Sequence, residues 1–279
     1  MHRASCPENA VKPFLKWPGG KRWVAKDLAR FIATQLDHNY YEPFLGGGAV
    51  FFALRPNVAI LSDINKDLIN VYQEIRDRPD EIISKLKEIP VTKNKYYNIR
   101  AIESKSSFES ALKFLYLNRT AFGGIYRLNK EGKFNVPYGG GKRTPEPLWR
   151  DNLIKDASEA LKGVELIVSD FEKIIDMSRR GDVVYCDPTY TVAHENNGFI
   201  RYNERNFSWY DQERLANVTK NACERGVLVI VSNASHSGFL DLYAPFQPLQ
   251  LTRKSLVSPN PEARRSICEY LFILDPELI

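Results

Sequence analysis

At 279 residues, 43% hydrophobic and 26% charged with a net charge of only +5, the chain has the make-up of a globular protein of one or two domains with a full core. No uninterrupted apolar run approaches the roughly 18 residues of a membrane span, and the first residues hold charge and proline rather than an apolar signal core, so neither a membrane protein nor a secreted one is expected. Four scattered cysteines (Cys6, Cys186, Cys223, Cys268) lack metal-ligand spacing, so the expectation is free thiols in a reducing cytoplasm and no metal centre.

The first informative stretch is Phe14-Leu15-Lys16-Trp17-Pro18-Gly19-Gly20-Lys21-Arg22, followed by a helical pattern with Val24, Leu28, Phe31 and Ile32 on one face. A glycine pair before a helix lets backbone amides approach a ligand, and Lys21 sits near the helix N-terminus, where an anion is favoured. Trp17 offers a ring to cover a ligand. The spacing is not that of a Walker loop. Next, Tyr40 to Pro43 reads as a strand, Phe44 to Gly48 as a glycine loop, and Ala49 onward as an apolar helix. Val58 to Leu61 makes a second strand ending at Ser62-Asp63, with Asp63 lying 17 residues after Gly46. An acid at the end of the second strand of a doubly wound fold meets ribose hydroxyls. A nucleotide-type cofactor is therefore expected, either a dinucleotide or S-adenosylmethionine.

From Asp67 the pattern turns helical and stays so. Leu68, Val71, Tyr72 and Ile75 form one face before Pro79, then Ile82, Ile83 and Leu86, then Tyr96, Tyr97 and Ile99, then Phe108, Leu112, Leu115 and Tyr116. So long a helical run between strands reads as an inserted domain over 67–150, leaving 1–66 and 151–279 as the α/β body. The insertion ends in two alternating runs around Asn129-Lys130-Glu131-Gly132, a β-hairpin signature. Between Lys113 and Arg150 eight basic residues meet only two acids, an excess of six, while the rest of the chain is near neutral. Basic charge among glycines and aromatics suits a nucleic-acid face. Arg127 on a hairpin arm suits guanine O6 and N7, and Phe122 beside two glycines suits a wedge between base steps. A solvated lysine-rich surface, with Phe122 and Tyr126 in the core, is the alternative.

After Pro147 the α/β rhythm resumes. Leu153 to Leu161 reads as a helix and Val164 to Asp170 as a strand. The apolar run Val183 to Cys186 reads as a buried strand opening into Asp187-Pro188-Thr189-Tyr190. Ligands bind at that edge of an open α/β sheet. There Asp187 offers an acceptor, Pro188 a carbonyl on a fixed backbone and Tyr190 a flat face. Together they suit a planar exocyclic amine, although Asp-Pro is also a common turn start. A long polar loop follows to about Asn206, carrying Arg201 and Arg205. Then come a helix from Trp209 to Arg225 capped by Ser208, a strand from Val227 to Val231, and a short helix from Phe239 to Tyr243. A strand opening at Leu249 is expected to break at Arg253-Lys254. A basic loop to Ser266 and a closing strand from Ile267 to Leu274 complete the chain.

Four elements in fixed order carry a resemblance: Lys16 to Lys21, the glycine loop with Asp63, the basic insertion, and Asp187 to Tyr190. The chain resembles the α group of DNA amino-methyltransferases. The stretches Leu117-Asn118-Arg119, Arg127-Leu128-Asn129 and Gly132 to Pro137 narrow this to the Dam-type DNA adenine methylase family of the D12 class. The likeness covers Phe14 to Leu274. It implies a Rossmann-like S-adenosylmethionine-dependent methyltransferase sheet with helices on both faces, plus a mainly helical target-recognition insertion with a β-hairpin. The matching positions imply cofactor binding by Trp17, Lys21, Phe44, Gly46, Gly48, Asp63 and Asp187. They imply chemistry at Asp187, Pro188, Thr189 and Tyr190, and DNA contacts by Lys16, Phe122, Ile125, Arg127, Asn135 and Pro137. Most such enzymes recognise GATC. Two positions depart from the pattern. Thr189 stands where the family has a second proline, which removes a backbone restriction on Pro188. Gly123 stands where the family has an asparagine.

The implied reaction methylates adenine N6 in duplex DNA after the base is flipped out. The implied protein is a cytoplasmic monomer of bacterial or phage origin, acting alone or beside a cognate restriction endonuclease. Three rival readings stand beside it: another amino acceptor (cytosine N4, RNA or a glutamine amide), a nicotinamide oxidoreductase built on the glycine loop and Asp63, and a catalytically silent DNA-binding relative.

Overall fold

The structure is a computed structural model and describes residues 11–129, 131–141, 144–191, 207–254 and 266–278. In chain order the elements are α1 (Ala25–Gln35), β1 (Tyr40–Glu42), α2 (Ala49–Leu54), β2 (Ala59–Asp63), α3 (Lys66–Asp77), α4 (Pro79–Glu88), α5 (Lys93–Ala101), α6 (Ser107–Thr120), α7 (Pro145–Leu148), α8 (Asp151–Leu161), β3 (Glu165–Val168), α9 (Phe171–Asp176), β4 (Val183–Cys186), α10 (Trp209–Glu224), β5 (Leu228–Ala234), α11 (Ser237–Tyr243), β6 (Leu249–Lys254) and β7 (Ser266–Leu274). The chain separates into two compact units, one of Gln35–Phe44 with Ser169–Ile279 and one of His2–Thr34 with Leu45–Val168.

The first unit is built on the strand order β1-β4-β5-β7-β6. β1, β4 and β5 run parallel, while β7 lies antiparallel between β5 and β6. All four residues of β4 and all seven of β5 are buried, which explains why Val183 to Cys186 and Val227 to Val231 read as continuous apolar runs rather than alternating ones. β5 runs three residues past the expected end because Ser232, Asn233 and Ala234 pair with Leu271, Tyr270 and Glu269. α10 starts at a capping box in which Ser208 accepts from the Asp211 amide and the Asp211 side chain accepts from the Ser208 amide.

The second unit holds the parallel pair β2 and β3 and most of the helices. The expected helical series is present, and each start has a local cause. Asn65 accepts from the amides of Asp67 and Leu68 to open α3, Pro79 occupies the first turn of α4, Thr92 caps α5 and Ser106 caps α6. The segment 67–150 lies wholly within this unit, together with α8 and β3.

Some expectations need correction. β6 does not break at Arg253-Lys254, because these residues pair with Ile267 and Ser266 and the partner strand carries the ladder through the charged pair. The hairpin around Asn129 is narrow. Among the described residues two isolated antiparallel bridges, Leu128 to Phe134 and Ala121 to Tyr138, and bonds from the Asn129, Asn135 and Phe122 amides to the Lys133, Arg127 and Pro137 carbonyls tie its arms, and the alternating runs do not become regular strands. Pro137, which has no N–H to offer a ladder, and the glycines at either end account for this. The short helices α7 and α9 had no clear periodicity in so few residues. Cys6, the loop with Arg201 and Arg205, and the basic loop 255–265 lie outside the described residues.

Candidate active site and DNA-facing segment

In the second unit the turn after Leu45 is shaped by Asp63. One carboxyl oxygen accepts from the Gly46 amide at 3.1 Å and the other from the Asn65 amide at 2.9 Å. The Tyr72 hydroxyl donates to the Gly46 carbonyl at 3.0 Å, and the Gly48 amide donates to Leu45 at 2.7 Å as α2 begins. Gly46 has φ of 46°, and a Cβ there would stand 2.8 Å from Trp17 Nε1, so only glycine lets the ring approach. Burial pushes the Asp63 carboxyl above the usual aspartate range, against the pull of the Asn65, Gly46 and Ile64 amides. Lys21 is 3% exposed and donates to the Gly19 carbonyl at 3.3 Å. Trp17, Lys21, Gly46, Gly48 and Asp63 thus belong to one loop system. Phe44 falls in the other unit, where it stacks on Phe171 at 5.3 Å and meets Phe207 edge-on.

The DNA-facing candidates converge within the second unit. Trp17 stacks on Tyr126 at 5.8 Å, and Tyr126 in turn stacks on Phe114 of α6 at 4.7 Å. Tyr126 is thus half-buried between two rings, whereas Phe122 is 61% exposed on a 3₁₀ turn over Phe122–Gly124. A Cβ at Gly124 would fall 2.5 Å from Lys16 Cδ, so Lys16 lies directly against the turn that follows Phe122. Arg127 donates through Nε to Asn135 Oδ1 at 2.8 Å, a bond across the hairpin. Pro137 is exposed, and its carbonyl accepts from the Phe122 amide at 2.9 Å. Ile125 is half-buried beside Gly123. α5 steadies the second arm, with the Tyr96 hydroxyl at 2.8 Å and Arg100 at 3.2 Å from the Val136 carbonyl.

One residue of this segment had only a resemblance to point to it. Asn118 is fully buried in α6, and its side-chain amide pairs with both backbone polar groups of Lys16: Oδ1 accepts from the Lys16 N–H at 2.9 Å and Nδ2 donates to the Lys16 carbonyl at 2.7 Å. An amide side chain is the group that matches a peptide in this way. The signal was a polar residue directly after the apolar run Leu115-Tyr116-Leu117.

In the first unit Asp187 to Tyr190 follow directly on β4. Asp187 is half-buried, Pro188 buried, Thr189 exposed and Tyr190 half-buried. The Tyr190 hydroxyl donates to Glu269 Oε2 at 3.0 Å and lies 3.4 Å from Ser232 Oγ. Burial pushes the Tyr185 hydroxyl well above its usual range, and the carboxylates of Asp187, Glu42 and Glu269 add to this. Burial likewise pushes the Cys186 thiol well up, with Asp187 next in weight, so this cysteine is no nucleophile at neutral pH. On α10 Arg214 joins Asp170 at 3.0 Å, Asp211 at 2.9 Å and Glu172. Among the described residues no group of three or more His, Cys, Asp or Glu side chains could hold a metal ion.

A parallel α/β core with an antiparallel strand set beside β5, glycine-loop chemistry after β1 and an Asp-Pro-x-Tyr edge after β4 define a Rossmann-like methyltransferase. The family model of the D12 class N6 adenine-specific DNA methyltransferase matches residues 17–256, and the chain belongs to this family. It is 36% identical over 272 residues to the Type II methyltransferase M1.LlaDCHI of Lactococcus lactis subsp. cremoris, covering 94% of each chain. It is 32% identical to the Type II methyltransferase M.MjaIII of Methanocaldococcus jannaschii, covering 95% of this chain and 99% of that one. With the DNA adenine methylase of Vibrio cholerae it shares 31% identity over 96% of this chain and 97% of the other. The protein is an adenine-specific DNA methyltransferase, and the oxidoreductase reading falls.

Proposed function

We propose that the chain transfers a methyl group from S-adenosylmethionine to adenine N6 in duplex DNA, at GATC or a related site, with the target base flipped out of the helix. The observation that carries this reading is the Asp187 to Tyr190 stretch at the carboxyl edge of a fully buried strand. The Asp187 carboxylate and the Pro188 carbonyl accept the two amine hydrogens, which aims the nitrogen lone pair and offsets the positive charge developing on N6. Tyr190 stacks on the base. S-adenosylmethionine, when bound, supplies an electrophilic methyl group. The residues of the glycine loop fit it: Asp63 sits at the end of β2, where ribose hydroxyls are met, and Trp17 lays a ring against the same loop. Catalysis is then mostly positioning and electrostatics.

In this reading 67–150 is the target-recognition insertion. Exposed Phe122 fills the gap left by the flipped base, and Lys16, Ile125, Arg127 and Pro137 face the base edges. Asn135 steers Arg127: with Nε committed to Asn135, the guanidinium has its two terminal nitrogens for guanine O6 and N7. The enzyme works as a monomer in the cytoplasm, alone or beside a cognate endonuclease. The test is to incubate unmethylated duplex DNA with protein and S-adenosylmethionine and to map modified bases. N6-methyladenine at a single short motif containing GATC or a near variant is the expected result. Methylation of cytosine N4 or of RNA would replace the reading, and no transfer at all would make the chain a silent relative.

A further inference from the structure

The last residue of the catalytic stretch, Tyr190, and the residue after it, Thr191, are held from opposite sides of β5. Antiparallel pairing sets Glu269 opposite Ala234 and Leu271 opposite Ser232. Directly paired residues share a face and neighbours alternate, so Ser232 and Glu269 lie on one face while Asn233 lies on the other. Tyr190 reaches the first face through its hydroxyl, at 3.0 Å from Glu269 and 3.4 Å from Ser232. Thr191 is tied to the second. Asn233 Nδ2 donates to Gln212 Oε1 at 2.9 Å, Gln212 Nε2 donates to Thr191 Oγ1 at 3.0 Å, and Thr191 Oγ1 donates to the Phe207 carbonyl at 2.9 Å. Glu269 is 1% exposed, Thr191 is 4% exposed, and Gln212 and Asn233 are fully buried. Polar side chains this deep need their partners, and the pattern spends them on two consecutive residues of one loop.

We propose that Glu269 and Gln212 are positioning residues for methyl transfer, gripping Tyr190 and Thr191 from opposite faces of β5 and so fixing the backbone that carries Asp187 and Pro188. The clamp answers a need that Thr189 creates, since a threonine there leaves Pro188 free of the restriction a following proline would impose. It rests on the proposed placement of the target adenine against Asp187 and Tyr190.

The experiment is steady-state methylation of duplex DNA by the whole enzyme, with thermal unfolding and DNA binding as controls. Tyr190→Phe and Glu269→Leu each lower kcat by about 10- to 100-fold, the cost expected of a displaced reacting group, and leave KM for DNA little changed. Combining them costs no more than Tyr190→Phe alone, because both break the same bond. Glu269→Gln, whose amide oxygen still accepts, recovers most of the loss. On the other face Thr191→Val lowers kcat alone, and Thr191→Ser restores it. Should Glu269→Leu fail to fold, Tyr190→Phe carries that arm with the buried acid intact. Wild-type kcat in either Tyr190→Phe or Thr191→Val overturns the clamp, as do losses that multiply in the double variant. A Tyr190→Ala enzyme separates the two levels. If it keeps wild-type kcat, the base pocket itself is misassigned and the clamp goes with it. If it is impaired while Tyr190→Phe and Glu269→Leu are not, only the clamp is wrong.

Discussion

In the proposed function the edge after β4 and the segment from Phe122 to Pro137 solve opposite problems. The first is short, follows a fully buried strand and is tied through Tyr190 to Glu269 of the sheet and through Thr191 to Gln212 of α10. The second has its arms joined by isolated bridges rather than a regular ladder, rests on an aromatic prop and leaves Phe122, Asn135 and Pro137 exposed. Chemistry needs atoms held to a fraction of an ångström, which a sheet edge provides. Reading a duplex needs side chains that meet an outside surface, which a regular core element cannot present. Damage at the edge should therefore abolish turnover, and damage at the segment should blur selection.

The largest effect tests the first half of that contrast. Asp187→Asn keeps the shape but removes the charge proposed to offset the developing positive N6, so methylation should fall about a thousandfold or more while thermal unfolding stays near wild type. Near-normal turnover by this variant would sink the assignment of the edge. The second effect belongs to the segment. Arg127→Ala gives up about 1–3 kcal/mol of discrimination at one base pair, read as a loss of preference between the cognate site and its single-base variants. Asn135→Ala gives a smaller loss of the same kind, because it frees the guanidinium that Asn135 Oδ1 holds through Nε. A uniform fall across all sequences would make Arg127 a phosphate contact instead.

The same contrast sets what was legible in the sequence. β4 could be read because a doubly covered strand shows as an unbroken apolar run, and the glycine loop because its turn chemistry is local. The helices were marked by Asn65, Pro79, Thr92 and Ser106, each acting within a turn of its own position. The grip on Tyr190 was not legible. Glu269 lies 79 residues away, on a strand whose place beside β5 is a matter of topology rather than composition. Asn118 pairs with Lys16 across 102 residues for the same reason. The chain's end of β6 was misjudged because a charged pair looks like a breaker until a partner strand is known.

A smaller effect probes the exposed ring. Phe122→Ala should slow methylation of a fully paired site by roughly tenfold, a fraction of the few kcal/mol that unstacking costs. It should do less where the target adenine is already mispaired, since a mismatched base leaves the stack more cheaply. Equal losses on paired and mispaired targets would return Phe122 to a packing role.

The smallest effect compares the two carboxylates. Asp187 is assigned to a developing charge, whereas Asp63 spends its oxygens on the Gly46 and Asn65 amides and titrates above the usual aspartate range because burial outweighs them. A folded-state value raised above the unfolded one means that Asp63 favours the fold below the unfolded value, and that this contribution is lost as pH rises through the folded one. Ribose hydroxyls donating to the ionised carboxylate would act the other way. They favour the anion, so cofactor binding is complete above the raised value and weakens as pH falls through it. Stability of the free protein and affinity for S-adenosylmethionine should thus move in opposite directions over one interval above the ordinary aspartate range. Calorimetry for the first and equilibrium binding for the second can follow both, and Asp63→Asn should flatten both limbs together. An affinity limb that survives in Asp63→Asn would assign it to a different acid.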